Sequence, residues 1–128
     1  MTAPRLLLVE DDPNDVLFFQ RALGKLKPGT VVVVARDGEE AMSYLKDATH
    51  VVLDLKLPRK SGLEVLECIR ACADFRDLRV SVLTSSKDPI DLERVHRAGV
   101  DRYSVKPATF SSLLDTLREI LDDWRLLP

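Results

Sequence analysis

A chain of 128 residues, 45% of them hydrophobic and 31% charged, is long enough for one domain with its own core and needs no disulfide or structural metal to hold it. Its net charge of −2 supplies no basic field for nucleic acid. No apolar run approaches the roughly 20 residues that span a bilayer, and the first strand begins five residues in. A cytoplasmic protein with no signal peptide and no membrane partner is therefore expected.

The elements alternate in chain order. Arg5–Val9 is a short apolar strand that ends at Glu10-Asp11-Asp12. Pro13 stands at a first helical position with Asp12 before it as N-cap, and the helix to about Lys25 is stopped by Pro28-Gly29. Thr30–Ala35 is β-branched and reads as the second strand. Asp37-Gly38-Glu39-Glu40 has the spacing of a capping box and opens the second helix. His50–Asp54 is a nearly continuous apolar strand ending on a carboxylate. Leu55-Lys56-Leu57-Pro58 is a loop, and Ser61-Gly62-Leu63-Glu64 is a second capping box that starts the third helix. Arg79–Leu83 is the fourth strand, Asp88-Pro89 opens a helix that Gly99 closes, and Asp101–Val105 is the fifth strand. A final helix from about Thr109 to Trp124 carries Phe110, Leu113, Leu114, Leu117, Ile120, Leu121 and Trp124 along one face.

Five strands alternating with five helices predict an α/β fold, a doubly wound parallel sheet of flavodoxin-like order 2-1-3-4-5. Unbroken runs such as Val31–Val34 fit strands covered on both faces. One domain over residues 1–128, with no output domain, is expected. Cys68 and Cys72 lack the second Cys or His pair of a zinc site and read as reduced thiols of a helix.

The polar residues fall where such a sheet binds ligands, outside the carboxyl ends of its strands. Glu10 and Asp11 follow the first strand, Asp54 ends the third, Thr84 follows the fourth and Lys106 follows the fifth. Singly, Thr84 reads equally well as an ordinary strand-end residue and Lys106 as a solvated loop lysine. Asp12 reads as a cap. It is the joint placement that points to a pocket. Three carboxylates there repel one another, and a hard cation such as Mg²⁺ is their natural counter-charge. Asp54 beside a metal, a lysine and a hydroxyl donor has what phosphoryl transfer to oxygen requires. A nucleotide or flavin fold would instead put glycines in the first turn, which here is Glu-Asp-Asp-Pro. A haloacid-dehalogenase-type phosphatase would want an aspartate where Lys56 stands.

Leu7-Leu8-Val9-Glu10-Asp11-Asp12-Pro13, Asp54-Leu55-Lys56-Leu57-Pro58 with Gly62, Leu83-Thr84-Ser85 and Tyr103-Ser104-Val105-Lys106-Pro107 resemble, in that order, the response-regulator receiver domains of two-component signalling, the stand-alone kind. The stretches at 10–15 and 54–58 also look like receivers paired with bacterial phytochrome kinases. The resemblance implies Asp54 as phosphoacceptor and Mg²⁺ held by Asp11, by Glu10 mainly through water, by Asp54 and by the backbone carbonyl of Lys56. It implies Thr84 and Tyr103 as switch residues, Lys106 paired with phosphoryl oxygens and a cis Lys106–Pro107 bond. A small Ser85 leaves access to Asp54, and Lys56 and Ser86 set phosphoryl lifetime.

It further implies a sensor histidine kinase as donor and no enzymatic activity beyond the protein's own phosphoryl transfer and dephosphorylation. Output would pass through the face of the fourth helix, fifth strand and fifth helix to a downstream protein or a second copy. Phe18 and Phe19 are adjacent, so one helix face cannot bury both. Trp124, Leu126 and Leu127 read either as padding of the core edge or as an exposed patch.

Overall fold

The computed structural model describes residues 3–128. Strands β1 (Arg5–Val9), β2 (Val31–Ala35), β3 (His50–Leu53), β4 (Arg79–Thr84) and β5 (Arg102–Val105) form one parallel sheet. Its order is β2-β1-β3-β4-β5, as the alternation of elements predicts. Helices α1 (Pro13–Leu26), α2 (Gly38–Tyr44), α3 (Gly62–Ala71), α4 (Pro89–Arg97) and α5 (Phe110–Asp123) make the crossovers, with a 3₁₀ turn at Leu45–Asp47 after α2.

Local chemistry sets the helix starts. Asp12 accepts from the N–H of Asn14 at 2.8 Å, and Asp37 accepts from that of Glu40 at 2.8 Å. Ser61 and Glu64 complete a reciprocal capping box, and Asp88 and Thr109 cap α4 and α5. Each cap satisfies an N–H that the helix leaves free and is worth about 1 kcal/mol.

Side-chain alternation along the strands makes two cores. Leu7, Val9, Val51, Leu53, Val80 and Val82 pack with Val65, Leu66, Ile69 and Val95 of α3 and α4. Leu6, Leu8, Val52 and Leu83 pack with Phe19 and Leu23 of α1 and with Leu117, Ile120 and Leu121 of α5. Each such side chain contributes roughly 1.5–3 kcal/mol on leaving water. Phe19 is buried and Phe18 exposed, as their adjacency requires. Trp124 is buried, its ring centroid 4.7 Å from that of His50, and Leu126 and Leu127 pack half-buried against the same core. The C-terminal apolar residues therefore pad the core edge. Cys68 and Cys72 are free, half-buried thiols.

One expectation fails. Among the described residues every peptide bond is trans, Lys106–Pro107 included. Before proline the cis form is accessible but still the less stable by about 0.5–1 kcal/mol, so the dipeptide alone does not impose it.

No helix among the described residues is long and apolar enough to cross a membrane.

Candidate functional site: an acidic pocket at the carboxyl rim of the sheet

β1 is hydrogen-bonded on one side to β2 and on the other to β3, so the strand order reverses beside its end. Three segments meet there. The N–H of Asp54 donates to the carbonyl of Val9 at 3.1 Å, which locks the two carboxylate-bearing strand ends in register. The N–H of Lys106 donates to the carbonyl of Thr84 at 2.8 Å, which places the lysine loop over β4. Gly62 packs directly against the backbone of Asp54 and Leu55. A Cβ on it would lie 2.1 Å from the carbonyl oxygen of Asp54, so only glycine lets α3 start this close to the strand end.

Glu10 is 4% exposed and Asp54 5% exposed, whereas Asp11 faces solvent. Glu10, Asp11 and Asp54 each offer a carboxylate oxygen within 4.8 Å of the others. Lys106 Nζ lies 2.6 Å from Glu10 Oε1, 2.8 Å from Asp15 Oδ2 and 2.8 Å from Asp54 Oδ2, so its three protons meet three carboxylates. The other oxygen of Asp54 accepts from the N–H of Leu55 at 2.7 Å and, more weakly, from that of Lys56 at 3.4 Å.

The electrostatics show crowding. Burial pushes the Glu10 carboxyl up to about 7, aided by the negative Asp54. The hydrogen bonds from Lys106 and from the N–H of Asp12 act against this shift. Burial alone would lower the Lys106 ammonium, but the carboxylates of Asp15, Asp54 and Glu10 overcome it and hold the group above the ordinary lysine range. Three carboxylates share one ammonium, and Asp11 adds a fourth acid beside Glu10 and Asp54. The excess negative charge and the all-oxygen donor set fit a hard divalent cation held by Glu10, Asp11 and Asp54.

Thr84 is fully buried, and its hydroxyl oxygen accepts from the N–H of Ser86 at 3.4 Å. The hydroxyl of half-buried Tyr103 donates to the carbonyl of Ser86 at 2.9 Å, and Ser86 Oγ donates to Asp91 of α4 at 2.6 Å. Thus Glu10, Asp11, Asp54 and Lys106 converge as the sequence predicts, and Thr84 and Tyr103 meet through Ser86. Lys56 sits in the exposed loop after Asp54.

Asp15 was not anticipated as a site residue. An acid in the first turn of α1 reads as a response to the helix dipole, and only the fold reveals that this turn faces the lysine after β5. A cleft of about 230 Å³ is lined by Glu10, Asp15, Asp54 and Lys106 together with Phe18 of α1 and the Pro107–Phe110 segment.

Residues 6–118 match the model of the response regulator receiver domain, and the chain belongs to that family. It is 35% identical to the probable methanogenesis regulatory protein FilR2 of Methanothrix harundinacea, over 93% of this chain and 82% of that protein.

Among solved structures it is similar to response regulators. The phosphorylated cyanobacterial phytochrome response regulator RcpA superposes with a TM-score of 0.88 at 32% identity, covering 96% of this chain and 94% of that one. The Mn²⁺-bound response regulator Rcp1 superposes with a TM-score of 0.83 at 28% identity, covering 94% of each chain. Rcp1 of Synechocystis is 30% identical in sequence over 93% of this chain and 87% of that one.

Proposed function

We propose that the protein is a two-component response regulator that accepts a phosphoryl group on Asp54 from a sensor histidine kinase, and that the kinase is of the phytochrome type. The observation that carries this reading is the placement of a nearly buried Asp54 carboxylate within 2.8 Å of Lys106 and in reach of two further carboxylates. Likeness to the phytochrome response regulator RcpA supports the choice of kinase.

Glu10, Asp11 and Asp54 would hold Mg²⁺, joined by the backbone carbonyl of Lys56. When bound, the ion supplies positive charge to the oxygens of the transferring group. This chain's own residues do the rest. An oxygen of Asp54 attacks phosphorus as the P–N bond of phosphohistidine breaks, and the imidazole leaves with the electron pair of that bond. The cleft beside Phe18 and Pro107 admits the donor to Asp54. Lys106 keeps its ammonium, which passes from the carboxylates to the new phosphoryl oxygens.

Thr84 then turns its hydroxyl toward the phosphoryl group and gives up the N–H of Ser86. Because Ser86 also holds Tyr103 and Asp91, that movement is felt in β5 and α4 at once. The α4–β5–α5 face changes, and a downstream protein or a second copy that prefers one form carries the signal. Ile90, Leu92 and Val105, exposed apolar residues on α4 and β5, give that face something to bind. Turnover beyond the protein's own phosphorylation and dephosphorylation is no part of this reading.

The test is incubation with acetyl phosphate and Mg²⁺ followed by intact mass. The wild type gains one phosphoryl adduct. An adduct that persists at full yield in Asp54→Asn overturns the assignment.

A further inference from the structure

The three carboxylate partners of Lys106 differ in exposure. The side chains of Glu10 and Asp54 are 5% and 6% exposed, and that of Asp15 is 38% exposed. Glu10 and Asp54 belong to the trio whose oxygens can share a cation, and Asp15 does not. Nor does Asp15 cap α1, because Asp12 does that and accepts the N–H of Asp15 at 3.4 Å. Among the described residues its one ion pair is with Lys106. Asp15 lines the same cleft as Asp54 and Lys106, so a donor on its way to Asp54 passes an anion. The Asp15 and Asp54 oxygens both lie 2.8 Å from Lys106 Nζ, which puts them within about 6 Å of each other. Each of the three Lys106 protons meets a carboxylate, so the one held by Asp15 is not offered to an incoming phosphoryl oxygen. Repulsion and an occupied lysine act in the same direction, against a free anionic donor.

We propose that Asp15 is a specificity-determining residue that disfavours small anionic phosphodonors at Asp54. The inference rests on the function proposed above and adds to it which donors the site resists. A repulsive element of this kind leaves the advantage to a donor that arrives with protein contacts of its own to offset it. Coulomb's law sets the size. A unit charge and a dianion about 7 Å apart, in a partly exposed site at low salt, change the encounter by about fivefold, and a unit charge and a monoanion by about twofold.

Asp15→Asn tests this, because it keeps an oxygen that accepts from Lys106 and removes the charge. Two donors of different charge are compared with saturating Mg²⁺, and intact mass against time gives each labelling rate. Acetyl phosphate carries two negative charges and loses acetate, with the electron pair of its P–O bond, as an oxygen of Asp54 bonds to phosphorus. Phosphoramidate carries one net negative charge and loses ammonia by the same displacement at its P–N bond. At low salt, Asp15→Asn should label about fivefold faster than wild type with acetyl phosphate and about twofold faster with phosphoramidate, with unchanged circular dichroism. Both gains should fall toward one in 1 M NaCl, where screening acts beyond about 3 Å. A purely structural role for Asp15 would follow neither donor charge nor salt. The proposal is overturned by a folded variant no faster than wild type with acetyl phosphate, by a gain equal for the two donors, or by one that survives 1 M NaCl. If neither protein labels with either donor, the function proposed above falls and this inference with it; if both label at one rate, only this inference falls.

Discussion

Gly62→Ala and Gly24→Ala are the same chemical change and should move stability in opposite directions. At Gly62 the added Cβ would meet backbone atoms: the carbonyl oxygen of Asp54 at 2.1 Å, Leu55 Cα at 2.7 Å and the carbonyl carbon of Asp54 at 2.9 Å. No side chain can rotate out of the way, so α3 and the end of β3 must separate by about 1 Å or more. That movement also stretches the hydrogen bond from the Gly62 N–H to the carbonyl of Leu55, now 3.0 Å.

Overpacking of this kind costs about 1–3 kcal/mol, against a helix-propensity gain for alanine of at most about 1 kcal/mol. A net loss of about 2 kcal/mol is expected. At Gly24, inside α1, nothing lies within 4 Å of the added atom, and the propensity term acts alone. A gain of about 0.5–1 kcal/mol follows.

Urea unfolding followed by circular dichroism reads both changes. With a slope of roughly 2 kcal/mol per molar, the Gly62→Ala midpoint falls by about 1 M and the Gly24→Ala midpoint rises by less than about 0.5 M. Because the clash lands on the Asp54 backbone, phosphorylation by acetyl phosphate in folded Gly62→Ala should also slow by about tenfold or more. A Gly62→Ala protein with the wild-type midpoint and the wild-type labelling rate would refute this picture of Gly62.

Other outcomes follow from the same geometry. The Glu10 carboxyl is raised in the folded state above its unfolded value of 4.5, so the folded protein holds the extra proton between pH 4.5 and about 7. Its contribution is complete below pH 4.5 and is lost as the pH climbs through 7. Without metal, wild-type stability should therefore fall from pH 5 to pH 8 by up to about 3 kcal/mol, and Glu10→Gln should flatten that decline in urea titrations at the two pH values.

Ser81 is fully buried with a hydroxyl that has no partner. Ser81→Ala is expected to stabilise by about 1 kcal/mol, visible as a Tm raised by several degrees, and a lowered Tm would contradict it. Lys106→Met strips the cluster of its ammonium and should cost about 3 kcal/mol at pH 8, with much of the loss recovered on adding Mg²⁺ in a thermal-shift titration.

Much of this molecule is legible from residue order because its local signals agree with one another. Asp12-Pro13, Ser61 to Glu64 and Asp88-Pro89 mark helix starts by chemistry that acts within four residues, and all three are observed. The convergence of Glu10, Asp11, Asp54 and Lys106 was legible for a topological reason: parallel strands send every strand end to one rim.

What was not legible depends on how elements lie against one another. Asp15 reaches Lys106 only because the first turn of α1 leans over the loop after β5. The bridging place of Ser86 between Thr84 and Tyr103 depends on the fold of the β4–α4 turn. The tilted contact between the rings of His50 and Trp124 joins residues 74 positions apart in the sequence. The trans Lys106–Pro107 bond lies beyond what the dipeptide could fix, since either isomer is within about 1 kcal/mol.

The central claim is that Asp54 forms the acyl phosphate. Borohydride reduces an acyl phosphate to the alcohol, which converts the modified aspartate to homoserine and leaves free carboxylates untouched. After reaction with acetyl phosphate and Mg²⁺, peptide mapping of the reduced protein should find homoserine at position 54 and lose that signal when Mg²⁺ is chelated. Homoserine at Asp11, Asp15 or another acid, with position 54 unmodified, would contradict the account.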